Sequence, residues 1–162
     1  MKSAKNNPPA SQARALRAGY LIIAILFLSF LGFLIATYLT ILHYKNALPP
    51  CAITHGCETV LTSKFATVFG VPLALFGSLF YTSVIAACIL FYHNSKKIFA
   101  KAIFLIACWG IFVSIVLFYI QLAIIKNFCQ YCVLTEIINF LIFLLSYSLL
   151  KKGKNKEAKE IS

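Results

Sequence analysis

The chain has 162 residues, of which 61% are hydrophobic and only 12% are charged, with a formal charge of +11. This composition excludes a soluble globular domain, in which about a quarter of the residues are charged. The charge alone is typical of nucleic-acid binding, but basic and aromatic residues do not interleave here, so we expect no nucleic-acid partner.

Four apolar stretches are long enough to cross a bilayer, at about 1.5 Å per residue against a hydrocarbon core about 30 Å thick. None alternates with period two, which excludes a transmembrane β-barrel. Backbone groups in lipid must bond internally, so the sequence predicts an all-α, integral membrane four-helix bundle. The predicted spans are Ala18–Leu42, Val71–Tyr92, Ala102–Ile125 and Cys132–Leu150.

The first span follows a basic tail, residues 1–17, that resembles the positive region of a signal peptide. Its apolar stretch of about 25 residues is too long for a signal peptide, and no small-residue cleavage site follows it. We therefore expect a retained anchor. A lysine-rich tail, residues 151–162, follows the last span, which leaves 18–150 as the predicted transmembrane domain.

Basic residues are distributed unevenly between the two sides of the predicted bundle. Twelve of the fifteen Lys and Arg residues lie in the two tails and in the link between the second and third spans. The positive-inside rule therefore predicts that both termini are cytoplasmic. The links 43–70 and 126–131 then face the outside or a periplasm, where disulfides can form.

The first external link contains Cys51 and Cys57 in "CAITHGC". The residues that follow predict a short amphipathic helix on the membrane surface, which would hold the cysteine loop over the mouth of the bundle. The apolar side of that helix is predicted to comprise Val60, Leu61, Phe65, Val68 and Phe69.

The second external link opens the last span with "CQYC", Cys129 and Cys132. Two cysteine pairs admit a zinc site, two structural disulfides or a redox relay. The spacing of the first pair is loose for zinc, although His55 is a competing ligand. A bridge within "CQYC" closes too small a loop to restrict the unfolded chain much. A helix N-terminus stabilises a thiolate, which favours the relay.

Polar residues lie directly beneath the second cysteine pair. Cys132, Glu136 and Asn139 are spaced i, i+4, i+7 and share one helix face. An ionisable residue in a span is a functional hypothesis: Glu136 either delivers protons to a reduced acceptor or reaches up to the interface. No haem, flavin or nucleotide motif is present, which by elimination favours a lipid-soluble quinone. Cys88 and Cys108, in mid-span, are expected to be small buried hydrophobes.

The order "CAITHGC", Ser63, "FGVPLALFGSLFY" and "FCQYCVLTEI" resembles the vitamin K epoxide reductase family, most closely its bacterial members, over roughly Leu21 to Leu150. The unrelated bacterial DsbB proteins also combine four helices with two cysteine pairs. They place Cys-x-x-Cys in the first external loop, so the order of the motifs separates this chain from them.

The resemblance implies a four-helix bundle around a quinone, either ubiquinone or menaquinone. Cys132 would attack or contact the quinone, with Cys129 as its partner in the active-site disulfide. Cys57 would pass reducing equivalents to Cys129. Cys51 would exchange with an external thioredoxin-fold protein, although either loop cysteine could make that first contact.

Further residues follow from the same resemblance. Ser63 matches the loop serine near the family's quinone site, and with Cys132, Glu136 and Asn139 it completes the predicted quinone-binding set. Animal enzymes hold the quinone oxygens with an asparagine and a tyrosine, whose positions are Leu73 and Glu136 here. Reduction of vitamin K epoxide is therefore not expected.

The predicted function is a quinone-dependent thiol–disulfide oxidoreductase of a bacterial inner membrane, with its redox cysteines on the periplasmic side. It would reoxidise a periplasmic DsbA-like, thioredoxin-fold protein. Many bacterial relatives carry a fused thioredoxin-like domain, whereas this chain ends at Ser162, so a separate partner is expected. Two alternatives stay open: a vitamin K quinone or epoxide reductase of animal type, and a non-enzymatic membrane protein with structural disulfides or zinc.

Overall fold

The computed structural model describes residues 10–50, 56–94 and 97–160, so that Cys51 and His55 lie outside the described residues. Side chains are described except in 10–15, 17, 97 and 152–160. The described ranges form five α-helices: α1 (Ala10–Tyr44), α2 (Cys57–Leu61), α3 (Leu73–Asn94), α4 (Lys97–Tyr119) and α5 (Gln130–Glu160). A π-helical segment, Ile120–Ile125, continues α4.

Four of these helices are long and apolar enough to cross a membrane, which confirms the predicted all-α membrane bundle. Both α1 and α5 extend beyond their predicted spans into the basic tails. The extension is reasonable because the tail residues include strong helix formers such as alanine, lysine and glutamate. The membrane-spanning segments are Ala18–Tyr44, Leu73–Asn94, Ile98–Ile125 and Gln130–Lys151.

The four long helices pack in a closed ring. α1 contacts α3 and α5, and α4 contacts the same two helices. Large side chains fill the centre of the ring, and the largest of them are Tyr81, Ile25, Ile103 and Ile142. Cys88 lies in this core with a free thiol, whereas Cys108 carries a free thiol and is only partly buried. The packing leaves both external links at one end of the bundle.

The first external link folds into three short pieces. α2 is the short helix that the sequence predicts, but it ends at Leu61 and is followed by a 3₁₀-helix, Lys64–Ala66. A two-stranded antiparallel hairpin then pairs Thr67–Val68 with Val71–Pro72.

The hairpin explains why the amphipathic helix does not continue. Phe69 and Gly70, between the strands, both have positive φ, at 53° and 79°, as a type I′ turn requires. Such a turn cannot continue a right-handed helix. Val60 is consequently buried, whereas Phe65 and Phe69 on the predicted apolar side are exposed.

Candidate active site

Cys57 of the first cysteine pair lies beside the second pair at one end of the bundle. Cys57 and Cys129 are both 0% exposed and share an apolar cluster with Val60, against which Tyr131 and Cys132 pack. Cys57 is disulfide-bonded. Cys129 and Cys132 carry free thiols. A loop cysteine therefore lies beside the Cys-x-x-Cys turn, as electron transfer between the pairs requires.

The chain on both sides of the undescribed stretch 51–55 contacts that turn. Before the stretch, the carbonyl of Pro50 accepts a hydrogen bond from the Tyr131 hydroxyl at 3.1 Å. After it, Gly56 lies so close to Phe128 that a Cβ would stand 2.8 Å from the carbonyl oxygen of Phe128. Glycine is the only residue that permits this approach without a shift of the backbone. The chain is thus held beside the Cys-x-x-Cys turn at Pro50 and at Gly56.

Cys129 immediately precedes α5, where the first N–H groups of the helix have no intrahelical acceptor. A hydrogen bond from the Cys132 side chain lowers the pKa of the Cys129 thiol to about 7, against the opposing effect of burial. Hydrogen bonds from the backbone N–H groups of Cys132 and Tyr131 lower it further. The Cys129 thiol of the reduced pair is therefore partly ionised near neutral pH.

A cavity of about 240 Å³ begins at Cys132 and extends between the helices. Its walls are mainly apolar, with contributions from α1, α3, α4, α5 and the first external link. The four residues predicted to bind quinone all line it: Ser63, Cys132, Glu136 and Asn139. Leu73 also lines it. The structure brings the predicted set together, while their roles stay predictions.

Glu136 lines this cavity and bonds to a neighbouring helical segment. Its Oε1 accepts a hydrogen bond from Nε2 of Gln121 at 3.0 Å. Oε1 of Gln121 in turn accepts a hydrogen bond from the backbone N–H of Cys129 at 3.2 Å. The inward orientation keeps open the proton-delivery hypothesis for Glu136.

Sequence reasoning missed Gln121, Ser114 and Tyr81. Ser114 accepts a hydrogen bond from Nδ2 of Asn139 at 2.9 Å, and the Tyr81 hydroxyl donates to the carbonyl of Thr135 at 3.2 Å. The available signal was their polarity within apolar spans, because polar side chains in membrane helices generally bond to another helix.

The mainly apolar cavity also contains polar groups that can form hydrogen bonds with a ligand. Oδ1 of Asn139 is buried and has no hydrogen-bond partner among the described residues. Because the Ser114 hydroxyl can either donate or accept, rotation of the amide would leave its N–H group unpaired instead. Asn139 can therefore donate to a quinone oxygen or accept from a quinol hydroxyl. Apolar walls with a few polar groups are typical of small-molecule sites.

Fold and site define a class: a membrane four-helix bundle in which a loop cysteine and a Cys-x-x-Cys dithiol adjoin an apolar cavity. The sequence model described as the vitamin K epoxide reductase family matches residues 23–147. The chain belongs to the vitamin K epoxide reductase family. It is accordingly an oxidoreductase of a family that links thiol chemistry to quinones. A comparison with curated proteins gave no match.

Proposed function

We propose that this protein oxidises a periplasmic, DsbA-like thioredoxin-fold protein and passes the electrons through two cysteine pairs to ubiquinone or menaquinone. One observation carries the proposal: Cys132 packs against the apolar cluster that contains Cys57 and Cys129, and it also lines the cavity. Cys57 and Cys129 belong to the cluster alone. The order of the three sulfur atoms therefore defines a route from the external loop to the membrane interior.

The first step is thiol–disulfide exchange with the partner. A thiolate of the partner attacks the Cys51–Cys57 disulfide, and its second thiol resolves the mixed disulfide. The partner leaves as a disulfide, and both loop cysteines become thiols, so that two electrons and two protons have moved. The direction depends on the relative potentials of the pairs.

The second step moves the electrons inward. Cys57 attacks Cys129 of the oxidised inner pair, and Cys132 leaves as a thiolate. Cys51 then displaces Cys129 from Cys57, which re-forms the loop disulfide and leaves a reduced inner pair. The arrangement in the structure, with Cys57 disulfide-bonded and Cys129 and Cys132 as free thiols, is compatible with the end of this step.

The third step re-forms the Cys129–Cys132 disulfide and releases two electrons and two protons. A bound quinone would serve as the two-electron, two-proton acceptor. For a partner as oxidising as DsbA, whose reduction potential is about −120 mV, ubiquinone is more suitable than menaquinone. Cys132 is the thiol at the cavity wall. Glu136 is the carboxyl group able to hold a proton beside it, and Asn139 is the amide able to bond an oxygen atom there.

The proposed orientation of the protein in the membrane follows from the distribution of its basic residues. The positive-inside rule assigns the lysine-rich ends of the chain to the cytoplasm. The cysteine pairs, at the opposite end of the bundle, would then face the periplasm of a bacterial inner membrane. That compartment also supplies an oxidising environment and soluble thioredoxin-fold proteins as partners.

Cys132→Ala tests the proposal in protein reconstituted with quinone and a reduced thioredoxin-fold protein. We expect loss of quinone reduction, measured by absorbance, because the cysteine at the cavity wall is removed. Disulfide exchange between the partner and the loop pair should persist. Turnover at the wild-type rate by this variant would refute the electron route.

A further inference from the structure

The carboxamide of Gln121 connects the dithiol turn to Glu136. The side chain is only 3% exposed. Its Oε1 faces the backbone N–H of Cys129, and its Nε2 faces the carboxyl group of Glu136. Because a backbone N–H can only donate, the oxygen of the Gln121 amide must be the atom that faces Cys129, and the amide nitrogen then faces Glu136.

The local backbone explains how Gln121 reaches both groups. It lies in the π-helical segment Ile120–Ile125, which ends at Lys126 with φ of 56°. Segments of π-helix occur frequently at functional sites. The N–H of Cys129 lies before the first residue of α5, and Cys129 is fully buried. Without Gln121 this donor would lose its partner away from water.

We propose that Gln121 is a positioning residue of the redox site, which holds Cys129 where Cys57 reaches it and holds the Glu136 carboxyl group toward the same dithiol. The inference rests on the proposed function and adds one residue to it. Gln121 lines the cavity but acts through the two groups that it bonds.

The groups around Cys129 make this arrangement measurable. The titratable side chains that face it are Cys132 and Glu136 on α5 and Tyr131 in the same turn, while Cys57 from α2 is disulfide-bonded. A negative charge on Glu136 repels a thiolate on Cys129. His43 from α1 and Tyr81 from α3 line the adjoining cavity. The ionisation of Cys129 therefore reports whether the turn and the carboxyl group keep their places.

Gln121→Leu removes both hydrogen bonds at similar side-chain volume. We expect the pKa of Cys129 to rise from about 7 toward its ordinary value of 9.0, because the bond from Cys132 depends on the position of the turn. Turnover should fall about ten- to a hundredfold, as for other small misplacements of reacting groups. Thiolate absorbance of the reduced protein, measured against pH and referenced to Cys129→Ala, gives the first quantity.

Leu122→Ala is the matched control. It alters the same π-helical segment at a half-exposed side chain that does not line the cavity. Both its thiol titration and its turnover should stay at the wild-type values. Gln121→Asn, which keeps a polar amide but is too short to span both partners, should shift in the same direction as Gln121→Leu and serves if the leucine variant does not fold.

Glu136→Gln separates positioning from proton transfer. The amide oxygen of the new side chain can still accept from Gln121, so the pKa of Cys129 should stay at or below about 7 while turnover falls. Wild-type titration and turnover in both Gln121 variants would overturn the inference, even where Cys132→Ala abolishes turnover. Undiminished turnover in Cys132→Ala would instead refute the proposed function. A raised pKa of Cys129 in Gln121→Leu would still support the positioning role of Gln121.

Discussion

Gly56→Ala tests how closely the loop must approach the dithiol. The φ and ψ angles of Gly56, −88° and −5°, suit alanine, so the effect is purely one of space. The added Cβ would lie 2.8 Å from the carbonyl oxygen of Phe128 and 3.0 Å from its backbone nitrogen. Ordinary contacts begin at 3.4 Å, so the loop must retreat by about 0.6 Å to restore an ordinary contact with the Phe128 backbone. Cys57, the next residue, moves with it.

A displacement of this size should slow transfer between Cys57 and Cys129 by about ten- to a hundredfold, since reacting groups misplaced by about 1 Å lose about a hundredfold. The assay uses Cys51→Ala and Cys132→Ala together, so that Cys57 and Cys129 can only pair with each other. Formation of that bond from the two thiols, with an added two-electron thiol oxidant, is followed by gel mobility after proteolysis. Gly19→Ala, which adds a methyl group with nothing within 4 Å, is the control. Bond formation at the control rate in Gly56→Ala would refute the tight approach.

Two further changes test the acidity of the dithiol and the quinone contact. The thiolate absorbance that depends on Cys129, taken as the difference between reduced wild-type protein and Cys129→Ala, should fall as the pH drops through about 7, because the thiol is then increasingly protonated; a difference independent of pH near neutrality would contradict this assignment. In Cys132→Ala the same decline should begin at higher pH, since the hydrogen bond that lowers the pKa is gone. Asn139→Leu should raise the KM for quinone about tenfold, the value of one lost hydrogen bond in a buried site. Asn94→Leu, which changes an exposed asparagine outside the cavity, should leave KM unchanged, and equal values for the two variants would argue against a contact at Asn139.

The membrane spans and one face of α5 could be predicted because both depend on local pattern. Hydrophobic length alone reports a bilayer crossing, and four apolar runs gave four helices. The helical period is equally local, so Cys132, Glu136 and Asn139 were expected on one face, and all three line the cavity. The helix ends were harder to predict. Asn46, with φ of 51°, follows the end of α1, and such a left-handed residue has only a weak sequence signal.

Gln121 and the loop hairpin could not be predicted because their partners are set by tertiary structure. Gln121 bonds to residues across the turn at Lys126, and it lies in a segment where the period of 3.6 does not apply. The one sequence signal for Gln121 was that no other side-chain amide occurs within the predicted third span, Ala102–Ile125. Phe69 takes positive φ, which is unusual for a bulky residue, so nothing local favoured a turn there over a continued helix.

The complete burial of Cys129 gives a physical reason for two cysteine pairs. In the proposed route a soluble partner does not attack Cys129, which is 0% exposed beneath α2, and its electrons enter through the loop pair instead. Cys132 faces a mainly apolar cavity instead, where a lipid-soluble acceptor is favoured over water. A single pair could not be both accessible to a soluble protein and enclosed among membrane helices. Division of the two tasks between a loop and a helix N-terminus meets both requirements, and the tight contact at Gly56 is the point at which the two parts must fit.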